Sequence, residues 1–173
     1  MNILFQISGS IACYKACSVV SKLVQDGHSV QCVSSESALN FIGRATWEGL
    51  TGRTLHTDTF AAGGAMEHIE LGRWADTLVL CPATANRLNK LAAGTGDDLI
   101  GAIFLAHDFQ KPYVVAPAMN ARMWHHPATA ISIERLKSWG MKFVEPESGS
   151  LACGEIGDGR LADPETILSA ILS

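Results

Sequence analysis

The stretch Pro117 to Trp124, with the sequence PAMNARMW, decides the fold together with the short apolar run before it, Tyr113 to Ala116. Prolines stand on both sides of that run, at Pro112 and Pro117. Proline restricts the backbone and cannot donate to a strand ladder, so the run is predicted to be a buried strand whose carboxyl end must turn. Open α/β sheets bind ligands at such strand ends.

The same stretch carries side chains that suit a ligand. Asn120 is an amide between two thioethers, Met119 and Met123, and Trp124 follows. An amide can hold a carboxylate without titrating, and methionine and tryptophan side chains can surround a flat ring. A core strand that runs into a helix capped by Asn120 explains the same residues, and the spacing does not separate the two interpretations.

Composition and charge limit the classes of function. The chain has 173 residues, of which 47% are hydrophobic and 17% charged, as expected for one domain with a sizeable core. Its formal net charge is −4 and its Lys and Arg residues form no cluster larger than two, which argues against a nucleic-acid surface. The five cysteines lack C-x-x-C spacing, so neither a disulfide framework nor a metal site is expected. The apolar runs are too short for a membrane span, and we expect a cytoplasmic location.

Apolar periodicity predicts alternating strands and helices. Ile3 to Ile7, Ser10 to Gln25 and His28 to Val33 read as a βαβ unit. Three further strands are predicted at Thr77 to Cys81, Tyr113 to Ala116 and Met141 to Val144, with helices between them and a loop over residues 149–159. The pattern predicts a single-domain α/β fold over residues 1–173, a doubly wound parallel sheet of the Rossmann-like or flavodoxin-like type.

A phosphate site is predicted where the first strand meets the first helix. The turn consists of Ser8, Gly9, Ser10 and Ile11. Backbone N–H groups at a helix N-terminus bind anions, and a single glycine suits one phosphate better than the pyrophosphate of a dinucleotide. Ser34 and Ser37, after the second strand, could donate to the same phosphate. Plain capping is the alternative, and Glu36 could instead hold a ribose as in NAD sites.

Three other stretches could belong to a site. After the third predicted strand, Pro82 to Asn86 combines small residues with hydrogen-bonding ones and would admit a flat ligand, although helix capping by Thr84 explains it equally. His68 has acidic neighbours; it could be a base near neutral pH, although such a histidine is more often a surface group. Four glycines within residues 149–160 fit a mobile lid or a surface hairpin with Cys153 at its tip.

Four motifs, taken together, resemble a known family. They are HIEL at His68 to Leu71, PATANRLNKLAAGTGDDLI at Pro82 to Ile100, PAMNARMW at Pro117 to Trp124, and GSLACGEIGDGR at Gly149 to Arg160. From Ser8 to about Pro164 the chain resembles the homo-oligomeric flavin-containing cysteine decarboxylases. Within that family it is most similar to the enzymes of coenzyme A biosynthesis that act on 4′-phosphopantothenoylcysteine.

The resemblance implies a cofactor and a set of site residues. The cofactor is FMN, and the residues implied to hold it are Gly9, Ser10, Ile11, Ser34, Ser37, Thr84, Ala85, Asn86, Arg87 and Ala118. The catalytic residues it implies are His68, Asn120 and Cys153. The residues implied to contact the substrate are Asn120, Met123, Leu151, Ala152 and Cys153. It further implies a homotrimer or homododecamer, with a functional link to the preceding synthetase of the pathway.

The implied reaction removes carbon dioxide without net oxidation. Oxidation of the substrate's CH2–SH carbon to a thioaldehyde places the carboxylate β to a C=S group, from which it can leave. Cys153 would then protonate the enethiol as reduced FMN returns the hydride, and 4′-phosphopantetheine forms. The alternatives are a peptidyl-cysteine decarboxylase that stops at the enethiol, a non-catalytic regulatory flavoprotein and, more remotely, an NAD-dependent reductase. Exposed apolar side chains around Trp47, Phe60 and Trp74 are expected to form subunit contacts.

Overall fold

A parallel sheet forms the centre of the computed structural model, which describes residues 1–58, 66–150, 154 and 156–173. Within these residues the sheet has five strands in the order β2-β1-β3-β4-β5. The strands are β1 Asn2–Ile7, β2 Ser29–Ser34, β3 Thr77–Ala83, β4 Tyr113–Pro117 and β5 Lys142–Phe143. All four pairings between neighbouring strands are parallel, so the carboxyl ends of the strands lie at one edge. The predicted doubly wound α/β fold is confirmed.

Helices cover both faces of this sheet. They are α1 Cys13–Gln25, α2 Arg44–Thr51, α3 Glu67–Trp74, α4 Ala85–Ala92, α5 Leu99–Leu105, α6 Ala121–Trp124, α7 Pro127–Ser138 and α8 Pro164–Leu172, with a short 3-10 helix at Glu36–Asn40. Because successive strand side chains point to opposite faces, Phe5 and Val79 pack with α1, α2 and α8, whereas Leu4 and Leu78 pack with α4, α5 and α7. Both faces are therefore apolar, which explains the nearly continuous hydrophobic runs of the strands.

Two segments differ from the sequence prediction. Residues 67–74 form helix α3, which was not predicted, because none of its side chains is fully buried and the apolar period is weak. In the stretch expected to be a loop, residues 149–159, the described residues belong mainly to a hairpin of β6 Glu147–Ser150 and β7 Ile156–Arg160, which pair antiparallel. Main-chain hydrogen bonds form this ladder, so its glycine-rich sequence shows little of the side-chain alternation that normally indicates strands.

The aromatic residues expected at a subunit contact have a different environment. Trp47 is 0% exposed and packs in the core shared by α1, α2 and α8, so the expectation of an exposed Trp47 was wrong. Trp74 is half-buried against the opposite core. Phe60 lies outside the described residues. An aromatic residue outside the strands was mistaken for a surface residue, although a helix packed on the sheet buries it equally well.

An ion pair joins the first turn of α4 to the N-terminus of α5. Arg87 is a buried residue, 3% exposed. Its guanidinium donates to Asp98 Oδ1 at 2.8 Å and also to Asp98 Oδ2. Asp98 caps α5 by accepting a hydrogen bond from Gly101 N at 2.9 Å. Burial raises the pKa of the Asp98 carboxyl, but the hydrogen bonds from Arg87 and Gly101 outweigh it and lower that pKa below its ordinary value. The pair fixes the position of α4.

Replacing Asp98 by Asn should lower the free energy of unfolding by about 3 kcal/mol, because Arg87 would keep a buried charge without an anionic partner. Asp97→Asn is the matched control: Asp97 pairs with Lys90 at the surface, and its loss should cost less than about 1 kcal/mol. Urea denaturation measures both. Since folding lowers the pKa of Asp98, the stabilisation exists above the unfolded-state pKa of about 3.9 and is lost as the pH falls through the folded-state pKa. Equal losses in the two variants would contradict this account.

Candidate functional site

A cavity of about 670 Å³ opens at the carboxyl edge of the sheet, beside the ends of β1, β3 and β4. Small-molecule sites have volumes of roughly 300 to 1,000 Å³, so the cavity can hold a cofactor or a substrate. The strand order changes direction between β1 and β3. In doubly wound sheets, ligands bind at that topological switch point, outside the carboxyl ends of the strands.

Ser8 connects two walls of this cavity. Its hydroxyl donates to the Pro82 carbonyl at 2.6 Å and accepts from Thr84 N at 3.0 Å. Ser8 is only 2% exposed, so water does not compete for these bonds. The loop after β1 and the loop after β3 are thereby held together within the protein itself.

The turn after β1 supplies free main-chain donors. Gly9, Ser10 and Ile11 line the cavity, and among the described residues no atom accepts a hydrogen bond from their amides. A Cβ added to Gly9 would lie 2.5 Å from Ser37 Oγ, so only glycine allows this close approach. The first turn of α1, which follows, contains no acidic residue. The turn is therefore suited to an anion, as the sequence predicted.

The serines after β2 divide between site and structure. Ser37 lines the cavity, and its hydroxyl lies 3.0 Å from that of Ser35. Ser34 is 1% exposed and does not line the cavity; its hydroxyl donates to the Ser35 carbonyl at 3.3 Å. Glu36 does not line the cavity either. Of the two predicted hydroxyl donors, the structure therefore brings only Ser37 to the cavity.

The segment after β3 forms a wall of small residues. Thr84, Ala85 and Asn86 line the cavity, as does Ala118, whose amide donates to the Ala83 carbonyl at 3.0 Å. Thr84 also caps α4, since its Oγ1 accepts a hydrogen bond from the amide of Arg87 at 3.2 Å. Capping and site formation are thus both observed for Thr84. Arg87 is the exception, because its side chain is bound to Asp98 and does not reach the cavity.

Asn120 caps a helix and also lies on the cavity wall. Its Oδ1 accepts a hydrogen bond from Met123 N at 2.8 Å and so caps α6, and the residue lines the cavity together with Met119 and Met123. Because Oδ1 is occupied by the cap, the Nδ2 group remains as the donor of this amide. Among the described residues nothing accepts from it. A fixed NH2 donor on the cavity wall suits a carboxylate ligand.

The hairpin packs directly against the Asn120 turn. Met119 N donates to the Gly159 carbonyl at 2.9 Å. Gly159 has a φ of +106°, and an added Cβ would collide with the Met119 carbonyl, so the position requires glycine. Gly159 and Arg160 thereby line the cavity. The predicted site residues Leu151, Ala152 and Cys153 come between β6 and β7 in the sequence and lie outside the described residues.

Sequence reasoning missed the cationic residues of the cavity. Lys15 and Arg160 line it, and no acidic residue does so within the part of the chain that the structure describes. The Lys15 ammonium lies 3.3 Å from Asp163 Oδ1, and its side chain is 14% exposed. A lysine in an amphipathic helix normally reads as a surface residue, and only its distance of five residues from Ser10 pointed to the strand edge. The surplus of positive charge favours anionic ligands.

His68 lies apart from this cavity. It is in the first turn of α3 and is not among the cavity-lining residues. Its Nδ1 is shielded from solvent and has no hydrogen-bond partner among the described residues. Within one chain, then, the structure brings together Asn120, Met123 and the expected cofactor-binding turns, but it does not add His68 to them.

In residues 1–58, 66–150, 154 and 156–173, no three His, Cys, Asp or Glu side chains come together as metal ligands. Over the same residues, the helices are all too short or too polar to span a membrane.

The fold and the cavity define an α/β protein whose cavity, at the carboxyl edge of the parallel sheet, is suited to anions. The Flavoprotein family matches residues 1–173, and the chain belongs to that family. The bifunctional coenzyme A biosynthesis protein CoaBC of Bacillus subtilis (strain 168) is 43% identical over 169 residues, which cover 96% of this chain and 41% of that protein. The chain thus spans less than half the length of the curated relatives it matches.

Solved structures show the same likeness over nearly the whole chain. A mutant of PPC decarboxylase complexed with pantothenoylaminoethenethiol has 35% identity and a TM-score of 0.90, covering 99% of this chain and 96% of that one. The FMN binding protein AtHal3 has 36% identity and a TM-score of 0.86, covering 99% of this chain and 94% of that one.

Proposed function

We propose that this chain is an FMN-dependent enzyme that decarboxylates 4′-phosphopantothenoylcysteine to 4′-phosphopantetheine, a step of coenzyme A biosynthesis. The observation that carries the proposal is the orientation of Asn120. Its Oδ1 caps α6, so its NH2 group, on the cavity wall, is left to donate to a carboxylate of the substrate. Similarity to PPC decarboxylase and to CoaBC supports the substrate class. The relatives with a second activity support a functional link to the preceding synthetase, and a cytoplasmic location goes with this proposal.

FMN fits the residues that form the cavity. The free amides of Gly9, Ser10 and Ile11 suit a single phosphate, and Ser37 lies beside them. The small residues Thr84 and Ala118 leave room for a flat ring against the main chain. The similarity to the FMN binding protein AtHal3 supports the same cofactor. When bound, FMN would supply the oxidation of the substrate's CH2–SH carbon, which the protein side chains cannot perform.

The protein groups then bind the substrate and move its protons. Asn120 Nδ2 would donate to the substrate carboxylate, and the thioether of Met123 would pack beside it. Lys15 and Arg160 would raise the local concentration of the substrate, which carries a carboxylate and a phosphate. His68 would accept a proton during oxidation of the CH2–SH group, and Cys153 would donate one to the enethiol carbon. Cys153 also favours this reaction over the peptidyl-cysteine alternative, since an enzyme that stops at the enethiol needs no such donor.

A homo-oligomer, either a trimer or a dodecamer, would account for the position of His68. Three large apolar side chains at the cavity are exposed in the single chain, namely Ile11 at 56%, Tyr14 at 59% and Met123 at 48%. Exposed apolar groups of this kind mark interaction surfaces. We propose that a neighbouring subunit covers them and brings its own His68 to the cavity, so that each active site is shared between two chains.

Replacing Asn120 by Asp should abolish turnover while FMN stays bound. Aspartate caps helices as well as asparagine, so α6 should remain. The new carboxylate would oppose that of the substrate, and repulsion in a partly desolvated site should lower kcat/KM by at least about 100-fold. Product formation and flavin absorbance measure the two effects. Asn40→Asp is the control, because Asn40 is exposed and does not line the cavity. Near-normal activity in Asn120→Asp would remove Asn120 from the active site.

Mixing two inactive variants should restore activity. In co-assembled His68→Asn and Asn120→Asp chains, about one site in four would combine an intact cavity with an intact neighbouring His68. We therefore expect about a quarter of the wild-type activity from the co-expressed pair and almost none from either variant alone. A pair that stays as inactive as its components, in particles whose mixed composition is verified by native mass spectrometry, would argue against shared sites.

A further inference from the structure

A side-chain pair between described residues attaches the start of helix α3 to the segment beside β2. His56 Nδ1 lies 2.6 Å from Glu67 Oε1, and the two side chains are only 23% and 18% exposed. Glu67 is the first residue of α3 and precedes His68 directly. We propose that His56 and Glu67 are positioning residues that hold the start of α3, and with it His68, at the place that the proposed decarboxylation requires. The role of His68 in this inference rests on the proposed function.

The segment that carries His56 is fixed by main-chain hydrogen bonds to β2. His56 N donates to the Cys32 carbonyl at 3.2 Å, and Ser34 N donates to the His56 carbonyl at 2.9 Å. These bonds add one parallel bridge, Val33 to His56, at the outer edge of the sheet. His56 is therefore placed by the sheet itself, the most rigid part of the fold.

Neighbouring side chains restrain the same segment from its other side. Gln31 Nε2 donates to the Thr54 carbonyl at 2.7 Å, and Leu55 N donates to Glu48 Oε1 at 3.0 Å. Arg44 donates to the Leu55 carbonyl at 2.5 Å. Hydrogen bonds from β2 and α2 thus converge on residues 54–56. An imidazole on so well-restrained a segment is a fixed anchor for a partner.

Helix α3, by contrast, has little else to hold its N-terminus. None of its residues is fully buried, and its N-cap residue, Met66, makes no side-chain capping bond. Its C-terminal end is better fixed: Lys111 Nζ donates to the Gly72 and Arg73 carbonyls at 3.0 and 2.8 Å, and Asn2 Nδ2 donates to the Trp74 carbonyl at 3.1 Å. The His56 contact therefore restrains the end of α3 that carries His68.

The geometry suits positioning without direct contact. Successive residues of a helix point about 100° apart, so Glu67 can bind His56 while His68 faces another direction. Because both side chains are largely buried, the His56–Glu67 contact should stabilise the protein by more than an exposed surface ion pair does. Its second oxygen, Oε2, is shielded and has no hydrogen-bond partner among the described residues. Among the described residues, His56 is thus the observed partner of the Glu67 side chain.

Two substitutions and one matched control test this inference. Glu67→Ala and His56→Ala each remove the contact, whereas Glu70→Ala removes the same charge from the same helical turn at an exposed position. The first readout does not depend on activity. Amide hydrogen exchange in residues 66–71 should become about tenfold faster in Glu67→Ala and in His56→Ala. The double variant should exchange at the same rate as either single variant, because the same contact is lost in all three. Glu70→Ala should change it by less than about twofold.

The second readout separates positioning from simple stability. With saturating FMN, kcat should fall about tenfold in Glu67→Ala and His56→Ala while KM changes less than about twofold, because substrate binding is intact and only the orientation of His68 is lost. Unchanged exchange in both variants, or faster exchange with an unchanged kcat, would overturn the inference. If the unmodified protein shows no turnover, the proposed function fails, whereas the exchange result still decides whether this pair holds the start of α3.

Discussion

The buried hydroxyl of Ser8 is the contact on which the rest of the site depends. By donating to the Pro82 carbonyl and accepting from Thr84 N, it joins the ends of β1 and β3 at the point where the strand order changes direction. A parallel sheet leaves a crevice at such a point, and ligands bind there outside the carboxyl ends of the strands. The Ser8 hydroxyl, together with the Ser8 amide, which also donates to the Pro82 carbonyl at 3.3 Å, holds both walls before any ligand arrives, and this reduces the ordering that binding has to accomplish.

The cavity combines rigid walls with a chemically selective lining. Gly9 is packed against Ser37, Gly159 against Met119, and both contacts exclude any side chain larger than hydrogen. Main-chain amides, the side-chain amides of Asn86 and Asn120, and the cations Lys15 and Arg160 line the cavity. Both cations lie near one carboxylate, Asp163, which does not line the cavity, so the lining keeps a surplus of positive charge in the described residues. A substrate with a carboxylate and a phosphate and a cofactor with one phosphate match that lining. His68 lies apart from this lining, and this is why we propose that a neighbouring subunit completes the site.

The sequence was sufficient for the sheet and insufficient for the contacts between distant residues. Strands such as Ile3 to Ile7 could be predicted because both of their faces are buried, which leaves an uninterrupted apolar run. Helix α3 could not, because a helix without fully buried residues has no strong apolar period. The pairs Arg87–Asp98 and His56–Glu67 depend on how separate segments pack in the fold, so no local sequence pattern predicts them. Asn120 shows the reverse case, in which a residue predicted either to cap a helix or to line a site does both.

The most direct test of the whole account is the mass of the product. The purified protein would be incubated with FMN and synthetic 4′-phosphopantothenoylcysteine, and the reaction followed by mass spectrometry. The account predicts a product lighter by one carbon dioxide, the saturated 4′-phosphopantetheine. Unconsumed substrate in the presence of bound FMN would contradict a decarboxylase, and a product lighter by two further hydrogens as the sole species would contradict the return of those hydrogens to the enethiol.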